Sequence, residues 1–507
     1  MSPLDALRTR LSETTDLAHA AAVLEWDQEV WMPPGGAEAR AQQVGTLRRF
    51  AHERFVDPAV GEWLAAAAPE TDLDRALVRV ARRDWQRATR LPARLIRDQA
   101  QASGRAKEAW KAAREADDFE RFAPHLERVL ELAREEADLI RPLIAAERGP
   151  AYQPTDADAR YDALLDAYEP GASTAEVAAV FADLRAQLVP LVAAIAQRPA
   201  PDDSFLHAPF DADRQWGWGL DVATAMGYRL DRGRQDRSAH PFTTSFGSTD
   251  VRITTRIDPA FFPTGFFGTI HEAGHALYEQ GFAPELAGTP LADGASLGLH
   301  ESQSRLWENQ VARGRPFWTW AYPRLQERFP AALADVDVEA FVRAVNRVQP
   351  SLIRVEADEL TYHLHVLLRV EIERQLVAGT LAVADLPQAW NEGMRNLLGV
   401  VPPSDAFGCL QDIHWSLGSI GYFPTYTLGT LMSAQLWDAA ARDLGDPDGQ
   451  IGAGEFGPLL GWLRERVHRW GRAKPAGEIL RDATGSGLDA GPWLAYARAK
   501  YGALYGL

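Results

Sequence analysis

The chain has 507 residues, more than one ordinary domain of about 100–200 residues requires, so it forms either several domains or one large helical body with lobes. Hydrophobic residues make up 46% and charged residues 24%, the balance of a globular protein that builds its core without covalent help. A formal net charge of −17 with no run of Lys and Arg argues against a nucleic-acid partner, and the single cysteine, Cys409, excludes an internal disulfide and permits a reducing compartment.

Taken in chain order, the elements are mostly helices. Met1-Ser2-Pro3-Leu4-Asp5 lacks the basic and apolar regions of a signal peptide, so the expected location is the cytoplasm. The same residues predict a helix start: Ser2 as N-cap, Pro3 at the first helical position, Asp5 in the first turn. Residues 36–66 and 73–147 carry amphipathic helical patterning. Turn chemistry follows at Gly149-Pro150, at Glu169-Pro170-Gly171 and at residues 198–203. No uninterrupted apolar stretch of about 18 residues is present, so no membrane partner is expected. Val251, Ile253 and Ile257 alternate in residues 250–257, a strand signal in an otherwise helical chain. Helical patterning resumes near Phe266 and runs to the end. The expected class is mainly α with a small antiparallel sheet. We expect one catalytic domain over 1–507, with a helical part at about 1–200, a metal-site part at about 235–430 and C-terminal helices at 431–507.

The chemistry concentrates at His271-Glu272-Ala273-Gly274-His275. Imidazoles four residues apart share one face of a helix and can reach one ion. Glu272 stands beside the first of them, placed to accept a proton from water without binding the metal. Chance would produce this pattern only roughly 0.02 times in a chain of this length. A catalytic zinc needs a third protein ligand from another element. Glu301, in His300-Glu301-Ser302-Gln303, lies far enough downstream for a loop and a return helix. Glu308, two turns further on, reads instead as a partner for Arg305. Zinc suits these donors, and cobalt or manganese fit the same set.

The pair His271–His275 with His300-Glu301-Ser302-Gln303 resembles the thermostable carboxypeptidase Taq family of metallocarboxypeptidases. Further motifs of that family stand in the same order. They are Trp26-Asp27-Gln28-Glu29 with Met32-Pro33-Pro34-Gly35-Gly36, His240-Pro241-Phe242, Asp250-x-Arg252-x-Thr254, Ile353-Arg354-Val355-Glu356-Ala357-Asp358, and Gly408-x-x-Gln411-Asp412-x-His414-Trp415. The resemblance runs from about residue 20 to the C-terminus. It implies a two-lobed, gluzincin-like helical body with a deep active-site groove. It also implies a homodimer, release of single C-terminal residues with broad specificity, and poor cleavage before proline.

A carboxypeptidase must recognise a free α-carboxylate, and the planar fork of arginine suits that task. Arg354 is the first candidate and Arg252 the second. The strand at 250–257, as an edge strand, could pair with an extended peptide, and His240 could touch substrate carbonyls. Hydrogen-bond donors for the oxyanion are expected from His414, Tyr422 and Tyr426. His363 and His365 face different sides of a helix and read as core residues. Gly294-Ala295-Ser296-Leu297-Gly298 fits a serine-hydrolase pattern but has no preceding strand. The expected activity is zinc-dependent carboxypeptidase hydrolysis with Glu272 as general base. The rivals are an endo-acting oligopeptidase and a non-catalytic binding scaffold.

Overall fold

The computed structural model describes residues 2–507. Its elements are helices almost throughout, with one small sheet. The chain divides into two compact units, each assembled from separate segments. The first comprises the segment up to Trp85, Pro201–Val345 and Met432–Leu488; the second comprises Gln86–Ala200, Asn346–Leu431 and Asp489–Leu507.

In the first unit the predicted start holds. Ser2 caps helix Pro3–Val30 by accepting from the Asp5 amide, and the Asp5 carboxylate returns the bond in a capping box. The sheet lies in this unit and consists of β1 (Gln235–Arg237), β2 (Thr243–Ser245) and β3 (Val251–Thr255) in the order β1-β3-β2. Two expectations are corrected here. The sheet is mixed rather than antiparallel, since β1 runs parallel to β3 and only β2 is antiparallel to it. Moreover β3 is central, with both backbone edges paired, so the strand read at 250–257 cannot itself receive a peptide; β2 and β1 are the edges. The strand also stops at Thr255, short of Ile257.

Two family motifs explain each other in this sheet. The Thr254 hydroxyl oxygen accepts the Phe242 amide proton at 2.9 Å, which ties His240-Pro241-Phe242 to Asp250-x-Arg252-x-Thr254. Beside the sheet runs the helix Phe262–Glu279, which carries the paired histidines. Its first turns are anchored by aromatic packing. Phe262 and Phe266 stack at 5.4 Å, Phe266 meets Trp318 at 5.5 Å, and Trp318 meets Phe341 at 4.6 Å. Each ring so buried contributes on the order of 1.5–3 kcal/mol. The metal-site helix is therefore held by its core face while its other face stays available for chemistry.

In the second unit, helix Thr174–Ile195 is long and apolar enough, by length and composition alone, to cross a membrane. Glu176, Asp183 and Arg185 interrupt it. Val177, Phe181, Leu184, Leu188, Val192 and Ile195 are its buried apolar residues, spaced at three and four along one stripe, the pattern of a helix packed on a core. Helix Thr361–Ala378, after the Arg354 segment, is buried along most of its length. His363 and His365 lie inside it, both buried as expected.

Candidate active site

The first unit holds the metal constellation. His271 and His275 project from helix Phe262–Glu279, and Glu301 from the return helix Leu297–Arg305. One ligand atom from each lies within 4.8 Å of the others. Glu301 Oε2 faces both imidazoles, 3.5 Å from His271 Nε2 and 3.4 Å from His275 Nε2. Gly274 makes this approach possible: a Cβ there would fall 2.6 Å from Ser304 Cα and 2.7 Å from the Gln303 carbonyl oxygen. Any larger residue at position 274 would push the Glu301 helix away. Ser296, the serine of the Gly-x-Ser-x-Gly pattern, caps that helix by accepting from the Leu299 amide at 3.0 Å; it is a helix cap, not a nucleophile on a strand.

The outer contacts fix which nitrogen of each imidazole faces inward. His271 Nδ1 meets Glu308 Oε2 at 3.0 Å. His275 Nδ1 meets the His300 carbonyl oxygen at 3.1 Å. Carboxylate and carbonyl only accept, so both Nδ1 atoms carry a proton and both Nε2 atoms are turned toward Glu301, the position a bound cation would take on that side of each ring. His300 extends the second chain. Its Nδ1 lies 2.6 Å from His275 Nδ1 and its Nε2 lies 2.9 Å from Glu279 Oε1. Glu308 does pair with Arg305, as its spacing suggested, at 3.1 Å, but it also orients His271 and accepts from Arg313. Sequence spacing missed this because Leu306–Ala312 is a π-helical segment, in which the 3.6-residue face rule fails.

Two imidazole nitrogens and one carboxylate oxygen, converging and with their outer atoms already bonded, fit a divalent cation of the zinc type. Glu301 is also braced by Arg305 Nε at 2.7 Å and Ser304 Oγ at 3.0 Å. Burial opposes its charge, but Arg305 and the two histidines outweigh burial and hold its carboxyl well below the usual carboxylate range. Glu272 is the opposite case. Burial lifts its carboxyl above the ordinary value, which strengthens it as a base. The Thr243 hydroxyl, on edge strand β2, lies 2.7 Å from Glu272 Oε2 and fixes the carboxylate's direction. Sequence reasoning did not single out Thr243; its only signal was its place directly after His240-Pro241-Phe242.

The second unit gathers the other expected residues. Asp412 Oδ1 accepts from Arg354 Nε at 3.1 Å and Nη2 at 2.8 Å, while Oδ2 accepts from Arg369 Nε at 2.6 Å. The two arginines, 4% and 0% exposed, thus share one carboxylate. Gln411 Oε1 accepts from the Arg354 amide and from Arg369 Nη2. Arg354 Nη1 donates to the Tyr362 hydroxyl at 2.7 Å, and its Cζ lies 5.0 Å from the centre of the Tyr426 ring. His414 Nε2 is 3.2 Å from the Tyr426 hydroxyl, and its ring centre is 5.4 Å from that of Tyr422. Burial pushes His414 down to about 4, so it is neutral near pH 7 and donates through one nitrogen only.

Two candidates fall elsewhere in the first unit. Arg252 fills its fork with Asp250, at 2.8 and 2.7 Å, and lies over the Trp26 ring at 4.3 Å. That explains the Trp26 and Asp250 motif residues as one stack. His240 is exposed; its carbonyl oxygen accepts from Ser238 Oγ.

A family model described as Carboxypeptidase Taq (M32) metallopeptidase matches residues 6–501. Thermostable carboxypeptidase 1 of Thermus thermophilus is 45% identical over 501 residues, covering 97% of each chain. Carboxypeptidase 1 of Bacillus subtilis is 37% identical over 500 residues, covering 98% of this chain and 97% of the relative. Among solved structures, an M32 carboxypeptidase from Deinococcus radiodurans R1 matches with a TM-score of 0.95 at 42% identity over 100% of both chains. Metallocarboxypeptidase 1 of Trypanosoma cruzi matches with a TM-score of 0.89 at 32% identity over 99% of both.

Proposed function

The chain belongs to the carboxypeptidase Taq (M32) metallopeptidase family and is a metallocarboxypeptidase; on that footing we propose which residues carry the reaction. The observation that bears most weight is the convergence of His271, His275 and Glu301 beside a Glu272 steered by Thr243. A divalent cation, for which zinc is our choice, would supply Lewis acidity to the scissile carbonyl and to a nearby water. Glu272 accepts the proton of the attacking water and delivers it to the leaving amine. Thr243 keeps the Glu272 carboxylate turned in one direction through both transfers. Arg354 binds the terminal carboxylate of the peptide, which restricts cleavage to the last bond. His414, Tyr422 and Tyr426 are the donors assigned to the oxyanion. Tyr426 has the firmest support, since it touches both Arg354 and His414. Arg252 and His240 keep secondary substrate-binding roles; β2, the free edge beside the metal-site helix, takes the peptide backbone in place of β3.

The same reading takes broad C-terminal specificity and a homodimer on the strength of the family likeness, and a cytoplasmic location as the sequence expectation. The experiment that tests the assignment is Glu272→Gln. The variant should keep its metal at wild-type stoichiometry while kcat falls by about 10²–10⁴-fold. Wild-type turnover in metal-loaded Glu272→Gln would remove Glu272 from the reaction.

A further inference from the structure

Glu373 lies within helix Thr361–Ala378 and is fully buried, yet the reaction above makes no use of it. Its carboxyl accepts three hydrogen bonds. Oε1 takes the Trp415 indole proton at 2.8 Å; Oε2 takes the Tyr161 hydroxyl at 2.8 Å and the Gly421 amide at 3.1 Å. Trp415 directly follows His414, and Gly421 directly precedes Tyr422. One side chain therefore grips both ends of the segment that displays the His414 and Tyr422 rings.

The grip is specific in direction. Gly421 has φ +85°, and a Cβ there would lie 2.9 Å from the Leu165 amide nitrogen. The backbone is thus wedged against the Leu165 segment by the absence of a side chain and held on its other contact by Glu373. Tyr422 in turn meets the Tyr168 ring edge-on at 5.3 Å. In the ionised form both carboxyl oxygens act as acceptors. An amide in the same place offers one acceptor and one donor, so it must confront either the Trp415 N–H or the Gly421 N–H with another N–H.

We propose that Glu373 is the positioning residue of the oxyanion donors, setting the directions of His414 and Tyr422 by clamping Trp415 and Gly421 at once. The inference rests on the donor roles proposed above for His414, Tyr422 and Tyr426. It requires that geometry, not merely stability, be lost when the clamp is spoiled.

The test compares Glu373→Gln, Trp415→Phe and their combination in the metal-loaded protein, with kcat, KM, metal content and thermal midpoint measured for each. Glu373→Gln should lower kcat by about 10–100-fold with KM and metal content near wild type. Adding Trp415→Phe removes the N–H that the new amide would confront, so the Gln oxygen can serve Gly421; kcat of the double variant should exceed that of Glu373→Gln alone. A structural role alone predicts the reverse, with the two losses compounding, and that outcome overturns the inference. His414→Gln, Tyr422→Phe and Tyr426→Phe are measured alongside. If none of them lowers kcat, the donor reading falls and this inference falls with it. If any does while Glu373→Gln keeps wild-type kcat, only this inference falls.

Discussion

The metal cluster of the first unit and the arginine cluster of the second are opposites in charge. Around His271 and His275 stand the carboxyl groups of Glu272, Glu301 and Glu308, balanced by the guanidiniums of Arg305 and Arg313. In the second unit Arg354 and Arg369 share the one carboxylate of Asp412. The nearby carboxyl of Glu373 is pushed up to about 7 by burial, so it offsets that positive charge only in part at neutral pH. Leaving a charge buried and short of partners is costly. On the proposed assignment the first cluster would be completed by a cation and the second by the carboxylate of a peptide terminus. A carboxypeptidase needs one of each: a metal for the carbonyl, and a counter-charge for the free terminus that marks the bond to be cut.

That contrast can be broken most severely at the ligands. His275→Ala or Glu301→Ala should lose the bound metal on dialysis and, with it, all measurable turnover, whereas variants in the second cluster should retain metal in full. Metal loss from an Asp412 or Arg354 variant would erase the distinction. A milder change is Glu308→Gln, which weakens the orientation of His271 without touching a ligand. Its affinity for metal should fall by about 10–100-fold, read by competition with a chromogenic chelator. Wild-type affinity would reduce Glu308 to a partner of its two arginines.

Acid titration separates groups within the second cluster. Burial opposes the charge of Asp412, but Arg354 and Arg369 outweigh it and hold its carboxyl below the ordinary range. The folded chain thus binds that proton less readily than the unfolded chain. The contribution of Asp412 is full above the unfolded value of about 3.9 and fades as the pH falls below it. Glu373 behaves in the opposite sense. With its folded value at about 7, the folded chain holds this proton more tightly, so its contribution is lost as the pH rises from the unfolded value of about 4.3 to 7. Denaturant midpoints of Asp412→Asn and Glu373→Gln against pH should therefore lose opposite slopes, in the acid limb and in the range up to 7. The smallest effect is expected at Arg252→Lys. A lysine keeps the ion pair with Asp250 and the cation over the Trp26 ring, so kcat/KM should change by less than about 5-fold, measured on one peptide.

The two clusters also differ in how far the sequence discloses them. The metal ligands obey simple helix periodicity: His271 and His275 are four apart on a continuous helix, and Glu301 follows a loop marked by Gly288, Pro290 and Gly294. Glu308 escapes because the π-helical segment changes its direction. The sheet order escapes as well, since β1 is three residues long and reads Gln-Asp-Arg, with no apolar alternation to announce it. In the second unit Arg354 and His414 are visible as types suited to an anion, and Asp412 stands in the same motif as His414. Their partner Arg369 and the clamp Glu373 are not so visible, because they stand in the run Arg369-Val370-Glu371-Ile372-Glu373-Arg374, where nothing in the sequence separates them from the half-buried Glu371 and Arg374. Burial and partners, which only the fold supplies, turn those two positions into parts of one hydrogen-bonded cluster.

The claim that the second cluster is an anion site for the peptide terminus has one direct measurement. A peptide is offered with its C-terminus free and, separately, amidated, to wild type and to Arg354→Ala. Wild type should cleave the free peptide with kcat/KM higher by about 10²–10³-fold than the amide, the worth of a buried charge-assisted pair, and Arg354→Ala should lose most of that ratio through the free peptide alone. Equal cleavage of both peptides by wild type, or an unchanged ratio in Arg354→Ala, would contradict it.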